Sequence, residues 1–160
     1  MTCIIAHRLG WMVADRRVTF GEGYTGPYRR NKIRRSSDIL VGCAGPAVLS
    51  DRIEDALRGD SLVHGNYRAI VATVREHGTG SNTLILTANG ITELDQKGAA
   101  FDVDAEFWAV GSGFEAALGW LHGRYVARTG CVTPEDAKAA ISFAAQLHTD
   151  IGDGFQVERL

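Results

Sequence analysis

The sequence has no apolar run as long as the roughly 18–20 residues that a membrane-spanning helix needs. Its start lacks the basic opening and long apolar stretch of a secretory signal, so we expect a soluble, cytoplasmic protein with no membrane partner. Cysteine is scarce: Cys3, Cys43 and Cys131 are the whole complement. An odd number without a CxxC pair argues against a disulfide framework or a zinc site. Cys3 and Cys43 fall in apolar runs and read as small buried hydrophobes. The five histidines show no HExxH or other ligand spacing, so no metal is assigned. Excess charge of either sign is also missing. A net charge of −2 supplies no drive toward nucleic acid or anionic lipid. The one basic run, Arg29 to Arg35, has five cations in seven residues. It lacks the interleaved aromatics of single-strand binders, with only Tyr28 nearby, so no nucleic-acid partner is expected. Gly111-Ser112-Gly113 is not a phosphate loop, because no GK[ST] follows it. There is no internal repeat, low-complexity tract or linker.

What is present is an ordinary globular composition, 45% hydrophobic and 22% charged over 160 residues. That length predicts a single domain, 1–160, with one sizeable core. Residues 2–6 and 11–19 read as strands joined by a turn at Arg8-Leu9-Gly10. Residues 20–27, with three glycines and a proline, read as a loop. Residues 32–34 and the apolar stretch 39–45 are further strands, the second apolar enough to be covered on both faces. Pro46 opens a helix ending near Gly59, and a second helix spans 67–77. Asn89-Gly90 marks a hairpin between strands 83–88 and 91–94. A strand at 107–110 precedes a helix over 114–128. Another helix begins with Thr133 as N-cap, Pro134 in its first turn and Asp136 three residues after the cap. Residues 155–160 read as a last strand. Grouped strands alternating with grouped helices predict an α+β protein in layers, two sheets sandwiched between two helix pairs.

The candidate chemistry starts at Thr2. Once Met1 is removed, Thr2 carries a hydroxyl and a free α-amine on one residue. The amine's reference pKa of about 7.7–8.0 leaves much of it neutral near pH 7. Nucleophile and general base then lie about one hydrogen bond apart. A nearby cation keeps the amine neutral, and Lys32 can be that cation. Asp15, at a strand end, can hold Lys32 charged and oriented. Gly45, between a strand and a helix start, can offer its N–H to an oxyanion. Ser112, at another strand-to-turn boundary, can hydrogen-bond the amine.

These positions coincide with a resemblance. Residues 12–19 (Met-Val-Ala-Asp-Arg-Arg-Val-Thr), Asn31-Lys32-Ile33, residues 41–47, Ala109-Val110-Gly111-Ser112-Gly113 and residues 150–154 resemble, in order and spacing, the motifs of the proteasome β-subunit and HslV family. That family comprises N-terminal-nucleophile (Ntn) threonine peptidases. The resemblance implies the four-layer αββα sandwich of the Ntn-hydrolase fold, with two antiparallel sheets between two helix pairs. It implies Thr2 as nucleophile and base, Asp15 and Lys32 as the tuning pair, and Gly45 at the oxyanion hole. Ser112, Asp150 and Asp153 would position the N-terminus. Asp153 stands where proteasomal subunits carry a serine, which HslV also lacks, and the chain length is closer to HslV. The resemblance further implies a peptide or unfolded-protein substrate, no cofactor, a homo-oligomeric ring and an ATP-dependent unfoldase as partner. Two alternatives share the motifs: an Ntn amidase acting on small molecules, and an inactive shell subunit that keeps Met1.

Overall fold

The computed structural model describes residues 2–20, 24–59, 63–127, 131–149, 151–152 and 154–160. The chain opens with the hairpin β1 (Cys3–His7) and β2 (Trp11–Asp15), turned through Gly10 at a φ of 85°. Every residue of both strands is buried. Side chains alternate across a strand, so one apolar run feeds two cores. Cys3, Ile5, Trp11 and Val13 face helices, while Ile4, Ala6, Met12 and Ala14 face a second sheet.

Past Arg16 the chain leaves this sheet. β3 (Arg17–Phe20) and β4 (Tyr24–Arg29) form a separate antiparallel ribbon, where a loop over 20–27 was expected. The register slips between Arg17↔Arg29 and Thr19↔Thr25. That irregularity takes up Gly26 and Pro27, and proline is tolerated in a strand only where no ladder donor is needed. β5 (Ile33–Ser36), β6 (Ile39–Ala44), β7 (Asn82–Thr87), β8 (Gly90–Leu94) and β9 (Ala100–Asp102) make a five-stranded sheet in chain order. The short edge strand β9 escapes sequence reading because all three of its residues are exposed and show no apolar alternation. β10 (Phe107–Gly111) and β11 (Phe155–Arg159) complete the first sheet in the order β10-β1-β2-β11. All strand pairings in both sheets are antiparallel.

The helices pair as expected: α1 (Ala47–Gly59) with α2 (Val63–His77), and α3 (Phe114–Ala127) with α4 (Pro134–Leu147). α2 begins four residues before the expected start. α4 carries the full capping box, with Thr133 and Asp136 each satisfying the other's backbone N–H. Three apolar clusters separate the layers. Ile39, Val41, Ile85 and Leu94 pack on α1 and α2; Leu40, Leu84 and Leu86 pack on the inner face of β1 and β2; the outer face of β1 and β2 packs on α3 and α4. Three cores between four layers give the αββα sandwich. No helix among the described residues is long and apolar enough to cross a membrane.

Candidate active site

Thr2 sits one residue before β1 and is buried. Two contacts with the chain around β10 fix its backbone. Gly111, at the end of β10, pairs with Cys3 and has a φ of 102°, which glycine adopts without strain. A Cβ there would lie 2.0 Å from the Thr2 carbonyl oxygen, so only glycine lets the two backbones approach. Ser112 Oγ makes a long contact, 3.5 Å, to that same carbonyl. The expected partner was the amine, and the structure puts this hydroxyl beside the other end of Thr2's backbone.

Asp15, the last residue of β2, is fully buried and receives hydrogen bonds from three directions. Cys3 N donates to Oδ1 at 2.8 Å, Arg17 N to Oδ2 at 3.1 Å, and Lys32 Nζ to both oxygens at 3.0 and 2.9 Å. A buried carboxylate is tolerated when its lone pairs are met in this way. One side chain thereby ties the backbone next to Thr2 to the ammonium of Lys32. Burial pushes the Lys32 pKa below the ordinary lysine range, and the charge and hydrogen bonds of Asp15 oppose that shift.

Lys32 precedes β5 and is held from behind by a residue the sequence did not single out. Gln156 on β11 accepts from Lys32 N at 2.8 Å and from Ile33 N at 2.9 Å, and donates to Ile33 O at 2.8 Å. It is the one buried residue of β11, and a lone glutamine between Phe155 and Val157 is the only signal the sequence offers. In the basic run around Lys32, Arg29 and Arg35 are exposed, while Arg30 and Arg34 are partly buried against α1. Arg30 pairs with Asp51, and Arg34 Nε lies 2.9 Å from Glu54 on α1.

Gly45 follows β6 and leads into α1 through Pro46. A Cβ at this position would come within 2.5 Å of Ser81 Cβ, so the turn requires glycine. Thr2, Lys32 and Gly45 all line one cleft of about 140 Å³, together with Arg17, Arg30 and Ser50. The structure therefore gathers Thr2, Asp15, Lys32, Gly45 and Ser112 at one end of the sandwich. Asp150 and Asp153, the remaining candidates, lie outside the described residues. A buried hydroxyl, a shielded cation and a glycine amide at a helix entrance are the parts of a site for nucleophilic attack on a carbonyl.

The layers, strand orders and helix pairs define an HslV-like, proteasome β-like Ntn-hydrolase fold. The chain is similar to eukaryotic HslV from Trypanosoma brucei at 24% identity and a TM-score of 0.74, over 98% of each chain. It is similar to BPH from Thiobacillus denitrificans, in a structure with epoxomicin, at 21% identity and a TM-score of 0.77; the match covers 100% of this chain and 98% of that one. A Gly-1 mutant of Anbu from Hyphomicrobium sp. strain MC1 is 16% identical with a TM-score of 0.75, over 100% of this chain and 81% of that one. At these identities the likeness is one of fold. No protein-family model matches the chain, and no curated protein matches it.

Proposed function

We propose that the chain is an N-terminal threonine peptidase whose nucleophile is Thr2 after removal of Met1. The observation that carries this reading is the Asp15 carboxylate, which binds both the amide next to Thr2 and the ammonium of Lys32. In the proposed reaction the Thr2 hydroxyl attacks the scissile carbonyl while the freed α-amine takes its proton. The cationic Lys32 disfavours a second positive charge and keeps that amine neutral. The Gly45 N–H meets the oxyanion, a donor worth roughly 3–4 kcal/mol in such sites. The amine then protonates the departing peptide nitrogen, and water hydrolyses the threonine ester. Asp150 and Asp153 are proposed to help seat the N-terminus.

The likeness to BPH, solved with epoxomicin, selects the test. An epoxyketone offers two electrophilic carbons and thus titrates a hydroxyl and an amine held on one residue. Intact mass after incubation is expected to show a chain lacking Met1 and carrying one whole reagent, mapped to Thr2. Thr2→Ala should take neither reagent nor peptide substrate, and Lys32→Ala should lose roughly 10²-fold or more in turnover. Hydrolysis by a chain that retains Met1 removes the proposal. A homo-oligomeric ring served by an ATP-dependent unfoldase accompanies this reading. Sedimentation mass separates that ring from a small open amidase, and a Met1-retaining chain that binds no reagent identifies an inactive shell subunit.

A further inference from the structure

A second cavity, of about 270 Å³, opens where the rims of the two sheets meet. Asn82 of β7 and Glu93 of β8 line one side, β10 lines the other, and Phe114 at the start of α3 stands beside them. β10 is an edge strand, so no further strand of its sheet closes this side. The described residues that line this cavity and those that line the Thr2 cleft do not overlap. The volume falls just under the ~300–1,000 Å³ of small-molecule pockets, so it suits one side chain or a small organic ion rather than a large cofactor.

Glu93 is out of pattern. It lies two positions on from the buried Ile91, on the β8 face that looks toward the first sheet, where an apolar residue would continue the core. It is also the only charged residue among the described residues that line the cavity. Two neutral donors fix its carboxylate: Asn82 Nδ2 gives to Oε1 at 2.7 Å and Trp108 Nε1 to Oε2 at 2.7 Å. Each oxygen keeps a second lone pair. No lysine, arginine or histidine meets it among the described residues. The side chain is partly exposed and its bond with Asn82 lies at the surface, so a group entering the cavity reaches Oε1. Burying part of a charge costs free energy unless a partner of opposite sign completes it.

The other walls select the cation. Trp108 and Phe114 bring aromatic rings, and Phe114 is 36% exposed. A guanidinium stacks on such rings and presents parallel N–H groups to the two oxygens of a carboxylate. An ammonium holds its water more tightly and offers only a point of charge. The positive N-terminal end of α3 lies close by, and Glu115 in its first turn offsets it.

We propose that this cavity binds a guanidinium group, with Glu93 as its counter-ion and Trp108 and Phe114 as its aromatic walls. The group comes from an arginine side chain of a polypeptide or from a free guanidino compound. The site uses no catalytic residue, so it stands whether or not the chain is a peptidase.

The test follows the three indole N–H signals of the full chain by proton–nitrogen correlation NMR, with Trp108→Phe assigning the signal of Trp108. N-acetylarginine amide is expected to move that signal to saturation at millimolar concentration while those of Trp11 and Trp120 stay in place. N-acetylcitrulline amide, the neutral isostere, should bind about tenfold more weakly, the ratio one charge-assisted hydrogen bond supplies. Glu93→Gln, which keeps the shape and an acceptor oxygen, should abolish that preference, and added salt should shrink it. Phe114→Ala should weaken the arginine compound several-fold. Methylguanidinium separates the sources: equal affinity shows that the free ion suffices, and a weaker one assigns the site to arginine within a polypeptide. An unmoved Trp108 signal, equal movement of all three indoles, equal affinity for the arginine and citrulline compounds, or a preference that survives Glu93→Gln in folded protein overturns the site. N-acetyllysine amide binding as tightly as the arginine compound overturns the guanidinium assignment.

Discussion

Asp15 accepts four hydrogen bonds, two of them from Lys32 Nζ, and these set how the lysine titrates. Burial lowers the Lys32 pKa and Asp15 raises it, so Asp15→Asn leaves burial largely unopposed. The ammonium exists only below its pKa. The alkaline limb of the pH–rate profile should therefore move to lower pH in the variant, with a lower plateau. Stability follows the opposite sign: between the lowered folded pKa and the ordinary one, the unfolded chain binds more protons, so stability rises with pH across that window. Urea midpoints measured through the alkaline range check this. Gln156→Leu strands the N–H groups of Lys32 and Ile33, at a cost of roughly 2–3 kcal/mol in urea unfolding. It should lower kcat more than it raises KM, with partial rescue in Gln156→Glu, which keeps an acceptor oxygen. Thr2, Asp15 and Lys32 were legible because motifs carry them in fixed order. Gln156 was not, because its partners lie 123 and 124 positions away and no local pattern encodes that meeting.

The elements were legible where their chemistry is local. Asn89-Gly90, Thr133-Pro134 and the unbroken apolar stretch 39–44 each dictate their structure within a few residues. β4 was not, since glycine and proline signal a loop unless a bulge absorbs them. The hand-off from β10 to the Gly111-Ser112-Gly113 turn shows what such local choices protect. Gly111→Ala places a methyl against the Thr2 carbonyl and forces a residue with φ 102° out of its preferred range. Displacing a nucleophile by about 1 Å can cost on the order of 10² in rate. Peptide turnover of this variant should fall at least tenfold by that estimate, while far-UV circular dichroism stays that of the parent.

Across the whole molecule, the two sheets pack against each other, and Gly42 of β6 faces Ile4 of β1. A Cβ on Gly42 would lie 2.8 Å from Ile4 Cγ2. Gly42→Ala should therefore cost about 1–3 kcal/mol through overpacking, read as a lower urea midpoint. Adding Ile4→Val should return part of the loss, and a double-mutant cycle measures the coupling. The four-layer arrangement could be inferred from the grouping of strands and helices. The strand order of the first sheet could not, because β1 lies between β2 and β10, and the latter pairs Cys3 with Gly111 across the length of the chain. Gln156 adds a matter of timing. It leaves the ribosome after Asp15 and Cys43, which also hold Lys32, so the hydrogen bond on the lysine's N–H waits until β11 zips along β2. The corner around Thr2 and Lys32 is therefore completed by the last strand of the fold, and a chain still in synthesis lacks that closing piece.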